Sequence, residues 1–91
     1  MSDIYILKSV THTDGSPKIN PMVSAYIGKQ CEIDYLISGR RATLSFRSFV
    51  SGNLVPYLIT SKVKHITREG NNVTFETKNS VYTLGWRHVE L

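Results

Sequence analysis

The stretch Gln30-Cys31-Glu32-Ile33-Asp34-Tyr35-Leu36-Ile37-Ser38-Gly39-Arg40-Arg41-Ala42-Thr43-Leu44-Ser45-Phe46 decides the fold. Cys31, Ile33, Tyr35 and Ile37 alternate with Glu32 and Asp34. That two-residue period belongs to a strand with one buried face. Ser38-Gly39 reads as a tight hairpin turn, where glycine supplies the positive φ that L side chains avoid. On the return strand, residues 42–50, Ala42, Leu44 and Phe46 face one way; Thr43, Ser45 and Arg47 face the other.

Outward from this hairpin the same signals recur. Residues 4–10 form a strand candidate with Ile4, Ile6 and Val10 on one face. The loop over residues 11–23 follows, interrupted by Gly15, Pro17 and Pro21, and Gly28 marks a turn or a bulge. Residues 57–67 are β-rich, but Val63 and Ile66 fall on opposite faces of an unbroken strand. A bulge at Lys64-His65 reconciles them. Glu69-Gly70-Asn71-Asn72 is a second hairpin signal, after which Val73, Phe75 and Thr77 alternate with polar neighbours. Lys78-Asn79-Ser80 turns the chain again, residues 81–84 begin the last strand, and Trp86 and Val89 suit a short terminal strand or turn. No segment sustains apolar residues at helical spacing. The expectation is an all-β fold: a five- to six-stranded antiparallel meander curled into an SH3-like or OB-like barrel, one domain over residues 1–91.

Hydrophobic residues make up 41% of the 91-residue chain and charged residues 20%, a balance that disfavours disorder. No run approaches the roughly 20 apolar residues that span a bilayer, and residues 1–5, without a basic region leading into an apolar run, carry no expectation of a signal peptide. Cys31 is the single cysteine, so no intrachain disulfide forms, which fits a cytoplasmic setting. Asn72-Val73-Thr74 matches a glycosylation sequon, read as chance without a secretory signal.

The C-terminal half carries Thr60-Ser61-Lys62-Val63 and then Thr77-Lys78-Asn79-Ser80-Val81-Tyr82-Thr83-Leu84. This pattern, T-S-x-V followed by T-x-N-S-x-Y-x-L, resembles small uncharacterised bacterial and phage proteins. The resemblance covers roughly a third of the chain and implies a bacterial or phage origin and a small β-barrel, with no activity attached. In physical terms Asn79 and Ser80 suit a turn, and Thr60 and Thr77 suit exposed or cross-strand pairing positions.

Catalytic chemistry finds little support. A nucleophilic Cys31 needs a base, and His12, His65 and His88 lie in no recognisable motif. One cysteine and three scattered histidines lack the paired spacing of a zinc site, and no cofactor or metal is implied. Glu32 and Asp34 read as a solvated strand face, paired with Arg40 or Arg41 across the hairpin.

Charge is more informative. Residues 1–34 and 69–91 each sum to −1, whereas residues 35–68 hold Arg40, Arg41, Arg47, Lys62, Lys64 and Arg68 with no acid, a local +6. These six cations form the candidate anion or nucleic-acid face, with Phe49 or Tyr57 available to stack on bases. Leu54, Val55 and Tyr57 form a candidate protein-contact loop. The reading is a non-enzymatic binding module acting through a protein partner. Its alternatives are nucleic-acid binding by the 40–68 face, and capture of a small anionic ligand such as a nucleotide. Homodimerisation is a route to added buried area for so small a core, and no membrane contact is expected.

Overall fold

A computed structural model describes residues 2–18, 24–46 and 57–89. Within them are six strands: β1 (Ser2–His12), β2 (Gln30–Tyr35), β3 (Arg41–Ser45), β4 (Tyr57–Glu69), β5 (Asn72–Thr77) and β6 (Ser80–Val89). Every strand pairs antiparallel with its sequence neighbours, and β6 returns along β1 from Ser2↔Val89 to His12↔Ser80, closing the barrel. The all-β barrel expected from the alternation is the observed architecture. Closure pairs the edges that an open sheet of this size would leave exposed. No helix among the described residues is long and apolar enough to cross a membrane.

The turns follow the glycine signals. Arg40 N–H donates to Ile37 O at 3.1 Å across Ser38-Gly39, with Gly39 at φ +91°. Gly70-Asn71 joins β4 to β5, with Glu69 facing Asn72 and Gly70 at φ +57°. β6 is one strand through Val89, continuous where a separate short strand or turn was expected after Gly85.

The core gathers Leu7, Val10, Tyr26, Cys31, Ala42, Leu44, Phe46, Val63, Phe75, Tyr82 and Leu84. Phe75 and Tyr82 stack with centroids 4.8 Å apart, and Tyr26 meets Phe46 at 4.7 Å. Tyr26 comes from the turn at Ser24–Lys29, a segment to which the sequence pattern assigns no element.

Bulges set which alternating residues enter that core. Register shifts between Leu7 and Ser9, so an extra residue, Lys8, sits in β1. Tyr5 and Leu7 thereby share the inward side with Val10, in place of the expected Ile4 and Ile6. The shift in β4 between Val63 and His65 falls where the sequence slip required it, and both Val63 and Ile66 pack on the core. A second irregularity lies opposite Arg41 and Thr43, which pair with Lys62 and Ile59. Two bulges bend the thirteen-residue β4, letting its first half pair with β3 and its second with β5.

A candidate binding face on β2, β3 and β4

The outer face of β2–β3–β4 is built in rows, since residues paired in register share a face. Tyr35, Thr43 and Ile59 form one row across all three strands. Ser45 lies between Glu32 and Tyr57 in the next, and Arg41 lies beside Lys62 on the other side. Tyr35 is 42% exposed, Tyr57 47%, Ile59 55%, and Ile37 in the adjoining turn 51%. Four large apolar side chains thus face solvent on one part of a small molecule.

Their exposure has a local cause. The β2 register shifts between Ile33 and Tyr35. Leu36 packs on the core, while Tyr35 and Ile37 turn outward. Cys31 and Ile33 hold the inward positions expected of them; Tyr35 and Ile37 do not, because the bulge inverts the alternation after Ile33. The clue in the sequence is the unbroken apolar triplet Tyr35-Leu36-Ile37, which no regular strand can bury on one face.

At one end of this face is an open hollow of about 350 Å³ lined by Tyr35, Gly39, Arg40, Arg41 and Lys62. The hairpin turn is pinned against β4: Gly39 N–H donates to Val63 O at 2.7 Å, Val63 N–H to Arg40 O at 2.8 Å, and Ser38 Oγ to Lys64 O at 3.2 Å. Arg41 Nη1 donates to Thr60 O at 3.3 Å. Ala42 N–H donates to Thr60 Oγ1 at 3.1 Å, and that hydroxyl donates to Ser61 O at 2.8 Å. Of the exposed or cross-strand pairing positions expected for Thr60 and Thr77, exposure fails, since both are buried, whereas Thr77 does pair across the ladder with Val63. Their hydroxyls serve the backbone where bulge and turn interrupt the ladder: Thr77 Oγ1 donates to Ser80 O at 3.4 Å, and Ser80 Oγ accepts from Lys18 Nζ.

Of the six candidate cations, Arg40, Arg41 and Lys62 converge on the hollow. Lys64 is the bulge residue between Val63 and His65, exposed but outside the hollow's lining. Arg68 pairs with Val73, on the side of β4 that carries Ile66 across from Phe75. It also lies six residues along the strand from Lys62, roughly 20 Å away at about 3.3 Å per residue. Arg68 therefore does not share a face with Lys62, as the expected six-cation face requires, again because of a bulge. Arg47, Phe49, Leu54 and Val55 lie outside the described residues.

Acidic groups occupy the other end of the face. Asp34 accepts a hydrogen bond from Ser45 Oγ, in place of the expected partnership with Arg40 or Arg41. Cys31 lies on the inward side of β2, its thiol pushed up to about 12 by burial, with Asp34 and Glu32 adding to the effect. Such a thiol stays protonated at neutral pH. No protein-family model matches the chain, and no curated protein or solved structure does either.

Proposed function

We propose that this chain is a non-enzymatic binding module whose partner, a protein, docks on the outer face of β2–β3–β4. The observation that carries the reading is the exposed set Tyr35, Ile37, Tyr57 and Ile59. Isolated exposed apolar residues are ordinary; several gathered on one face mark an interaction surface. Tyrosine and arginine are the residue types that dominate interface energetics, and both are present here. Arg40, Arg41 and Lys62 at one end, with Glu32 and Asp34 at the other, supply a charged rim of both signs. The complementary partner offers an apolar centre, with carboxylates toward the Arg41–Lys62 end. Of the contact loop expected from the sequence, Tyr57 belongs to this face.

The test is site-specific photo-crosslinking in a bacterial host, with the crosslinker at position 59 or, as a control, at the exposed position 67 farther along β4. A discrete adduct at 59 that is lost in an Arg41→Glu/Lys62→Glu background supports the reading. Equal adducts at 59 and 67, or none at 59, sink it.

A further inference from the structure

We propose that the hollow between the Ser38-Gly39 turn and β4 is a phosphate-binding pocket for a nucleoside 5′-monophosphate, with the base resting on Tyr35. The hollow shares Tyr35, Arg40, Arg41 and Lys62 with the proposed docking face, but the nucleotide would bind without a protein partner.

Three cations meet in one place. Arg40, Arg41 and Lys62 line a single depression together with Tyr35, which is 42% exposed. A cluster of like charges held together costs free energy unless an anion offsets it. A phosphate monoester, carrying about −1.5 to −2 charges at neutral pH, matches three cations better than a single carboxylate does.

The cations are also held in place. Lys62 and Arg41 are cross-strand partners, so their backbones are fixed by the β3–β4 ladder. One guanidinium nitrogen of Arg41 is spent on Thr60 O, which orients the fork and leaves its other donors for a ligand. Arg40 follows a turn bound to Val63 through two backbone hydrogen bonds. Such fixing lowers the ordering cost that binding would otherwise incur. The volume, about 350 Å³, falls at the lower end of small-ligand sites. Phosphate recognition by arginine forks accounts for the anion, and an exposed tyrosine ring beside it accounts for a base, since every base has a face to stack.

The experiment is a ¹⁵N NMR titration of the full chain with adenosine 5′-monophosphate, ribose 5-phosphate and inorganic phosphate, repeated on Lys62→Gln, Arg40→Gln and Tyr35→Ser. The nucleotide should shift the amides of Gly39, Arg40, Arg41 and Lys62, and ribose 5-phosphate should shift the same set more weakly. Either cation variant should weaken both ligands by about tenfold. Tyr35→Ser should bring the nucleotide down to the affinity of ribose 5-phosphate. Equal affinity for all three ligands would overturn the base contact and with it the nucleotide assignment. Shifts confined to other surfaces, or none at millimolar nucleotide, would overturn the pocket. Proper folding of each variant is read from the same spectra. Because no protein partner is present, failure here leaves the crosslinking result separate.

Discussion

The hydroxyl of Thr60 accepts the amide hydrogen of Ala42 at 3.1 Å, taking the place of a main-chain carbonyl in the β3–β4 ladder. Both residues are buried, so the amide has no water to turn to. The same residue's carbonyl is left to accept from Arg41. One threonine thus repairs the ladder at a bulge and aims a guanidinium at the surface. Thr60→Val keeps the shape and removes the acceptor. It should cost about 1–3 kcal/mol, the usual penalty for a buried donor left unpaired. Thr60→Ser keeps the hydroxyl, loses one methyl, and should cost nearer 1 kcal/mol. Urea midpoints of the two variants check this; equal midpoints would remove the bond from the account.

The barrel was legible because its strands alternate and its turns carry glycine. Ala42, Leu44 and Phe46 all point inward as the pattern requires, and Val63 and Ile66 announce their bulge by falling out of step. The bulges in β1 and β2 left weaker traces. Polar Lys8 between Leu7 and Ser9 looks like an ordinary outward residue, and Tyr35 satisfies alternation until Leu36 competes with it for the core. A bulge is a tertiary device, since it depends on which strand lies opposite, so local periodicity reveals it only by accident. The charge of Arg40, Arg41 and Lys62 and the hairpin position of the two arginines were legible; that the three converge was not, since it depends on β3 pairing with β4. That Tyr35 joins them was not, because regular alternation places its ring in the core.

Gly39 offers a test of the turn that positions the hollow. Its φ of +91° lies in the half of backbone space that L side chains rarely enter. Space is not the obstacle, since a Cβ added there would meet nothing within 4 Å. Gly39→Ala should therefore destabilise by about 1–2 kcal/mol through backbone strain alone. Thermal unfolding measures it, and an unchanged midpoint would show that the turn relaxes at little cost.

Alkaline pH should weaken the fold through two buried acids. Burial pushes the Cys31 thiol up to about 12 from an ordinary 9.0, and burial also raises the Tyr82 phenol above 10.0, partly offset by its hydrogen bond to Ser80. A group whose pKa is higher in the folded state contributes its full stability below the unfolded pKa. The contribution is lost as pH climbs toward the folded value, because the unfolded chain then releases the proton more readily. Stability should hold to about pH 9 and then fall by up to about 1.4 kcal/mol per pH unit as Cys31 enters its window, with Tyr82 adding above about pH 10. Denaturant titrations at half-unit steps from pH 8 to 11 give the slope. In Cys31→Ala the decline between pH 9 and 10 should flatten; a slope unchanged by that substitution would exclude the thiol as its source.

The β2 bulge makes the sharpest claim about register. Regular alternation from Cys31 and Ile33 puts Tyr35 in the core and Leu36 in solvent, whereas the shifted register puts Leu36 against the core and leaves Tyr35 on the outer face, 42% exposed. The two arrangements rank two substitutions in opposite order. With the bulge, Leu36→Ser removes an apolar side chain from a packed position and sets a hydroxyl there, so it should cost about 2–3 kcal/mol. Tyr35→Ser should stay within roughly 1 kcal/mol, as surface changes do when some contact is lost. Parallel urea curves with matching m-values would make the comparison direct. If Tyr35→Ser proved the costlier change, the alternation would run unbroken through β2. The aromatic wall of the hollow would then belong to the core, and the outward face of β2–β3–β4 would lose the ring that joins its apolar centre to its cations.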